Sequence, residues 1–461
     1  MKNYLFILAT ILLISISSCK VKQSIADVVI VDNNNTGTTE QKDTIALDVI
    51  TIDTLETIDT FAIDSNFIGD TVLKLKDQYN IAIILPLFTD SINMSFETHV
   101  ETDMEDFIIP TKAVKALNFI EGMILSLEEK PIENLKLNIK VYDNESNILK
   151  TKNIVSKLAF EDIDFIIAPI SSKNIKVVTE FAKEKNIMVI SPFSHSKIAS
   201  NNFSSYTMLN PSLDTHLKTI AKYISDSLNN AHIKILYPNT IKGEAYSSLM
   251  QNIINTINDT LEISKKISYA LVEVESNTND RRNFKIEDYL DLDAENAVIV
   301  LPASTGFIHN MLTKLNEKHT KYDITVFGMP NWKKSKTLRM DYFNNLKVHF
   351  SDVKWIDNND LKTKSFKNNY KDKYKGYPTD EAYLGYDLFN YFSFLIDKYG
   401  LSLSENIHKE TYNGIFGNYH FEKIYTNNSY LGLDNINQTV RIENTDLHII
   451  YYKDFRLYLK K

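Results

Sequence analysis

Short apolar runs alternate with amphipathic segments over residues 79–461. Three of the runs stop within two residues of a proline and have the length of strands buried on both faces: Ile81–Leu85, Phe165–Ala168 and Met188–Ile190. Between them, apolar residues recur at helical spacing in Ala113–Leu127 and Asn174–Lys185. Strands that alternate with helices in this way predict a parallel β-sheet with right-handed crossover connections.

The alternation restarts after residue 205 and predicts a second sheet. Further helices and strands are predicted over Leu213–Leu228, Ile233–Tyr237, 243–255, Ala297–Leu301, Thr325–Phe327, 365–375, 381–399 and an alternating tail from Asn418. The predicted fold class is therefore α/β, with two doubly wound parallel sheets in two lobes joined by a hinge. In open sheets of this kind, ligands bind in a cleft at the carboxyl ends of the strands.

The N-terminus has the pattern of a signal peptide over residues 1–18. Lys2 precedes the apolar stretch Tyr4–Ile16, which is too short to be a comfortable membrane span. The sequence Ile16-Ser17-Ser18-Cys19 resembles the lipobox of bacterial lipoproteins, in which the cysteine thiol is acylated and becomes the first residue. The alternatives are an ordinary secretory signal or an anchor helix with an incidental cysteine. Cys19 is the only cysteine in the chain, so it has no internal disulfide partner.

The lipobox resemblance also implies a location. Lipoproteins that stay in the inner membrane carry Asp after the cysteine, whereas this chain carries Lys20. We therefore expect a lipid anchor in the outer membrane, with the body in the periplasm. Each buried methylene contributes about 0.8 kcal/mol, so a multiply acylated Cys19 is a firm anchor.

Residues 20–78 form an acidic, low-complexity segment. The segment holds eleven acidic residues and five lysines, a charge of -6 out of the net -8 of the whole chain. Such a composition predicts a disordered tether over residues 19–78 that holds the body, residues 79–461, away from the membrane. The net negative charge argues against nucleic acid as a partner, because phosphate binding requires a basic surface.

Catalytic and metal-binding motifs are absent from the sequence. We find no GxGxxG, GxxxxGK[ST], GxSxG or HExxH, and the ten histidines show no ligand spacing. The acidic residues Asp103, Glu105 and Asp106 lie in a polar run typical of a solvated loop. We therefore expect a non-enzymatic protein without a cofactor or metal.

An ordered set of segments resembles the type I periplasmic binding protein fold of solute receptors. These segments are Ile81–Leu87, Phe119–Met123, Val141–Asn144, Asp164–Ser172, Ile187–Pro192, Tyr377-Pro378 and Gly385–Asp387. The run Val326–Trp332 is similar to one in lipoproteins that resemble amino-acid receptors. The resemblance covers residues 79–461 and implies three crossings between lobes. We expect lobe one at about 79–205 and 350–405, and lobe two at about 206–349 and 406–461.

The resemblance also implies a ligand site. In amino-acid receptors of this fold, a serine pair that opens a helix binds the ligand carboxylate, and here the match is Ser171 and Ser172. Ser194 matches the second wall of the site. Tyr246, Met329 and Asn331 are the expected contributions of lobe two. The alternative is that Ser171 or Ser172 is only a helix N-cap, worth about 1 kcal/mol.

One departure from the receptors leaves two functions open. Receptors carry a short glycine-rich turn after the first strand, whereas Phe88–Pro110 is expected to be a long polar loop without glycine. The first hypothesis is a binding protein for a small polar ligand such as an amino acid, the receptor of an ABC permease. The second is a protein-interaction lipoprotein that regulates peptidoglycan or envelope assembly, since the same fold forms the distal domain of lipoprotein activators of penicillin-binding synthases.

We predict that Cys19 is the sole membrane attachment, because no apolar run after it approaches the roughly 20 residues that a membrane span requires. The change Cys19→Ala behind a cleavable signal should release the protein from the membrane fraction, and circular dichroism should show unchanged α/β content. Membrane association of this variant that persists in high salt would contradict the prediction.

Overall fold

The computed structural model describes residues 26–31, 73–100, 109–129, 132–133, 135–197, 203–228, 232–262, 266–276, 283–425 and 439–460. This part of the chain forms two compact units. The first comprises the described residues within Met1–Asn210 and Ile356–Thr445, and the second comprises those within Pro211–Trp355 and Asp446–Lys461. Cys19, the signal peptide and most of the expected tether lie outside the described residues.

The secondary structure follows the alternation of the sequence. The strands are β1 (Ala26–Val31), β2 (Tyr79–Leu85), β3 (Leu137–Asp143), β4 (Phe165–Ile167), β5 (Met188–Ser191), β6 (Tyr206–Met208), β7 (His232–Pro238), β8 (Tyr269–Val274), β9 (Asn296–Val300), β10 (Ile324–Gly328), β11 (His349–Asp352), β12 (Thr411–Asn413), β13 (Asn418–Tyr425), β14 (Thr439–Asn444), β15 (His448–Lys453) and β16 (Arg456–Leu459). The α-helices are α1 (Thr89–Val100), α2 (Thr111–Glu129), α3 (Ile148–Leu158), α4 (Ser172–Lys185), α5 (Leu213–Ser227), α6 (Ile241–Asp259), α7 (Thr305–Asn316), α8 (Met340–Asn345), α9 (Leu361–Tyr374), α10 (Asp380–Tyr399) and α11 (Leu403–Asn406). Short 3₁₀ turns occupy Ile286–Tyr289, Pro330–Lys334 and Ile407–Lys409.

The sheet of the first unit has the strand order β1-β3-β2-β4-β5-β6-β14-β13-β12 in the described residues. Pairing is parallel from β1 to β14 in this order and antiparallel between β14, β13 and β12. Apolar side chains cover both faces, with α2 and α10 on one face and α3 and α4 on the other. Burial on both faces explains the continuous apolar runs of β2, β4 and β5.

The second unit contains a sheet of order β16-β15-β11-β10-β9-β7-β8 over its described residues. Strands β8, β7, β9, β10 and β11 pair in parallel in this spatial order, and β15 and β16 add an antiparallel edge. The two sheets confirm the predicted α/β fold class.

The lobe boundary expected near residue 405 differs from the structure, in which residues 406–425 and 439–445 belong to the first unit. The reason is strand pairing: β14 pairs in parallel with β6, Ile442 against Thr207, and β13 pairs with β14. The alternating tail therefore divides, since only β15 and β16 join the second sheet. The unit boundaries at Asn210 and Trp355 lie near the expected ones.

Two segments expected to be irregular contain regular structure. Ala26–Val31, expected as part of a disordered tether, forms β1 and pairs in parallel with β3 from Ala26↔Leu137 to Val31↔Tyr142. Its sequence is rich in β-branched residues, which favour strands. Thr89–Val100, expected as part of a long loop, forms helix α1. Among the described residues, no helix has the length and apolarity to cross a membrane.

Helices α2 and α10 pack with their backbones in direct contact. A Cβ atom added at Gly122 would collide with the carbonyl oxygen of Ala382, and one added at Gly385 would collide with the carbonyl oxygen of Phe119. Each helix therefore contributes one glycine to the crossing. Around it, Phe119 and Met123 of α2 pack in the same apolar core as Leu388 of α10.

We predict that Gly122→Ala destabilises the protein by about 3 kcal/mol or more, because the new methyl group meets main chain that cannot rotate away. Gly306→Ala is the matched control, since Gly306 also lies in a helix and an added Cβ there would have no neighbour within 4 Å. The control should be neutral or gain up to about 1 kcal/mol, as expected for Gly→Ala in a helix. Thermal unfolding measures both, and equal transition temperatures for the two variants would refute the close crossing.

Candidate functional site

A cavity of about 510 Å³ lies in the first unit at the carboxyl ends of four neighbouring parallel strands. The segments that follow β2, β3, β4 and β5 contribute Pro86 and Phe88, Ser146, Pro169–Ser172 and Phe193–His195 respectively. The first turns of α2 close the cavity with Lys112, Lys115, Ala116 and Phe119. Open parallel sheets bind ligands at this edge.

The structure brings three of the predicted site residues together in this cavity: Ser171, Ser172 and Ser194. The hydroxyls of Ser172 and Ser194 are 3.1 Å apart, and the Ser194 hydroxyl also accepts a hydrogen bond from the Ser196 N–H at 3.2 Å. Ser194 is buried, whereas Ser171 and Ser172 are exposed to the cavity. A solute in the cavity can therefore reach hydroxyl groups from two loops.

Ser171 occupies the N-cap position of α4 but does not act as a side-chain cap. Its backbone is extended, with φ −67° and ψ 157°, and its hydroxyl makes no capping hydrogen bond. The first N–H groups of a helix have no partner within the helix and attract anions. The cavity thus contains both the Ser171 hydroxyl and the positive end of a 14-residue helix.

The carboxylate of Asp143, at the end of β3, organises the loop that follows β2. Its Oδ1 accepts hydrogen bonds from the N–H groups of Leu87 and Glu145 at 2.9 and 2.8 Å. Its Oδ2 accepts from the Thr89 N–H at 2.7 Å and from the Thr89 hydroxyl at 2.9 Å. Asp143 is only 5% exposed, so these four bonds are shielded from water.

Between the two residues held by Asp143, Phe88 adopts a left-handed backbone conformation with φ 56°. This conformation is unfavourable for a residue with a Cβ atom. Its carbonyl oxygen accepts hydrogen bonds from the N–H groups of Ser91 and Ile92 at the start of α1. The ring lines the cavity, and the Nζ atom of Lys112 lies 4.3 Å from its centroid. Phe88 therefore takes a conformation that glycine adopts more readily, and it adds an aromatic residue to the cavity lining.

An apolar floor and a buried tyrosine complete the surroundings. The rings of Phe119 and Phe193 make an edge-to-face contact at 6.0 Å. Tyr206 is buried, and this burial raises the pKa of its phenol, so the phenol stays neutral. In the part of the chain that the structure describes, no group of His, Cys, Asp and Glu side chains is arranged to hold a metal ion.

The three residues predicted from lobe two lie in the second unit and have different environments. Tyr246 is on α6 and packs at the border of the apolar core. Met329 is 6% exposed and belongs to that core, while Asn331 is exposed in the 3₁₀ turn Pro330–Lys334. Asn331 is therefore accessible to solvent, whereas Met329 is not.

Sequence reasoning missed several residues of the cavity: Phe88, Lys112, Lys115, Phe119, Phe193 and His195. Asp143 lies within the segment Val141–Asn144, but the sequence did not predict a role for it. A signal was present, because an acidic residue at the end of an apolar strand is a frequent acceptor for backbone N–H groups. Nothing in the local sequence indicated that Lys112 and Lys115 of α2 would line the same cavity as the serines.

Comparisons with known proteins support the fold. The sequence profile of the family described as "Receptor family ligand binding region" matches residues 127–389, more than half of the chain. The structure of an ABC transporter substrate-binding protein from Desulfitobacterium hafniense is similar, with a TM-score of 0.54 and 14% identity over 83% of this chain and 100% of that chain. A comparison with curated proteins finds no match.

Two further solved structures share this architecture. A branched-chain amino acid ABC transporter periplasmic ligand-binding protein from Burkholderia xenovorans has a TM-score of 0.55 and 10% identity, over 83% of this chain and 95% of that chain. A putative branched-chain amino acid ABC transporter from Rhodospirillum rubrum has a TM-score of 0.56 and 12% identity, over 83% of this chain and 100% of that chain. These likenesses confirm the predicted type I periplasmic binding protein fold.

We predict that Asp143→Asn destabilises the protein by about 1–3 kcal/mol, because the amide nitrogen cannot accept the backbone hydrogen bonds that one carboxylate oxygen accepts. Asp162→Asn is the control, since the Asp162 side chain is 80% exposed and should change stability by less than about 0.5 kcal/mol. Urea unfolding measures both free energies. An equal effect of the two substitutions would argue against the organising role of Asp143.

Proposed function

Because the chain belongs to the family of receptor ligand-binding regions, we propose that it is a non-enzymatic periplasmic lipoprotein that binds a small polar solute such as an amino acid. Lipidated Cys19 attaches it to the outer membrane, and the loaded protein delivers its solute to an ABC permease. The observation that supports binding is the cavity at the carboxyl ends of the strands, where Ser171, Ser172 and Ser194 lie beside the N-terminus of α4.

The chemistry of this wall suits a carboxylate. N–H groups of the first turn of α4 donate to the carboxylate oxygens, and the partial positive charge of the helix N-terminus favours the anion. The Ser171 hydroxyl makes no capping bond and can donate in addition. The Ser172 hydroxyl can donate to the ligand when the Ser194 hydroxyl is the donor within their pair. Hydrogen bonds to a charged group contribute about 1.5–3 kcal/mol each.

Calorimetry and thermal shift with the mature chain and a panel of amino acids and dipeptides test this proposal. A true ligand at a hundredfold excess over Kd should stabilise the protein by about 2.7 kcal/mol. Ser172→Ala combined with Ser194→Ala should weaken binding at least about tenfold through lost hydrogen bonds. Ser156→Ala, an exposed position on α3, should leave Kd unchanged. A folded protein that responds to no member of the panel would overturn solute binding.

A regulatory role in envelope assembly is the second candidate, and helix α1 is the observation that favours it. This helix stands where solute receptors have a short turn, and Met94 within it is 68% exposed. An added helix beside the cavity, with an exposed apolar side chain, offers a surface on which another protein could bind. Crosslinking in the envelope followed by purification separates the two roles: recovery of an ABC permease supports uptake, and recovery of a peptidoglycan synthase supports regulation.

A further inference from the structure

The described lining of the cavity in the first unit contains basic side chains and no acidic ones. Its lining includes the basic side chains of Lys112, Lys115 and His195 and no aspartate or glutamate from the described residues. The N-terminus of α4 adds a partial positive charge to the same wall.

The two lysines differ in their partners. The Lys115 ammonium is 3.4 Å from a carboxylate oxygen of Glu381, so part of its charge is already balanced. Lys112 has no carboxylate within ion-pair distance among the described side chains, and its Nζ atom lies over the face of Phe88. The ammonium N–H groups of a lysine over an aromatic face can still donate to a ligand.

The position of this lysine and ring is built into the loop. Phe88 is held at φ 56° by the bonds of Asp143 to the flanking residues Leu87 and Thr89. A strained backbone that its surroundings maintain is a feature of ligand sites. In this conformation Phe88 lines the cavity, and the Lys112 ammonium lies over the face of its ring.

We propose that Lys112 and Phe88 form a second anion subsite, so that the cavity selects solutes with two carboxylates, such as an acidic amino acid, over neutral aliphatic amino acids. This inference rests on the proposed solute-binding function. The first carboxylate binds at the serines and the α4 N-terminus. The second accepts a charge-assisted hydrogen bond from the Lys112 ammonium, while the methylenes between the two carboxylates pack on Phe88.

Calorimetry on the mature chain with glutamate, glutarate, glutamine and leucine tests the subsite. Glutamate should bind at least about tenfold more tightly than glutamine, because a charge-assisted bond replaces a neutral one. Lys112→Met, which preserves the length of the side chain, should reduce glutamate affinity by about tenfold to a hundredfold and leave glutamine affinity within about threefold. Lys152→Met, an exposed lysine on α3, should alter neither.

The outcomes separate this inference from the function on which it rests. Equal affinity for glutamate and glutamine, with binding still lost in the Ser172→Ala and Ser194→Ala double variant, would overturn the second subsite and retain the binding protein. An equal effect of Lys112→Met on both ligands would also overturn it. Failure of every ligand to bind the folded chain would overturn both.

Discussion

Backbone contact between α2 and α10 is the constraint on which the first unit depends. Gly122 and Gly385 remove the side chains that would separate these helices, so α2 is fixed against its neighbour and against the sheet. The same helix carries Lys112, Lys115 and Phe119 into the cavity. Because the helix is a rigid element, tight packing in its middle determines where the lysines of its first turns lie. A core contact thereby positions a charged wall.

The rest of that wall depends on polar groups that form hydrogen bonds with the backbone. Asp143 holds the loop after β2 through Leu87 and Thr89, and this bonding maintains the unfavourable φ of Phe88. The serine side is held differently, by the start of α4 and by the hydroxyl pair of Ser172 and Ser194. One side of the cavity is therefore preorganised by a buried carboxylate and the other by a helix terminus.

Sequence reasoning predicted what local pattern determines. Strands β2, β4 and β5 are continuous apolar runs because both faces are covered, and Ser171, Ser172 and Ser194 were found because they follow such strands. Lys112 was missed because its place depends on the crossing of Gly122 with Ala382, residues far apart in the chain. The boundary near 405 differed for a similar reason: alternation identifies β14 as a strand, but only its pairing with β6 assigns it to a sheet.

The pairing of strand β1 also could not be predicted from local sequence, and it shortens the link between the proposed anchor and the first unit. Its six residues are strand-like, yet nothing in a polar, acidic surrounding identifies β3 as the partner, which lies more than a hundred residues away. The edge of β3 would otherwise expose unpaired N–H and C=O groups, so the added strand also protects the sheet. In a chain anchored at Cys19 as proposed, at most about 25 Å separates Cys19 from Ala26, the first paired residue. The distance of the first unit from the membrane is then set by residues 20–25 and not by the length of the acidic segment that follows.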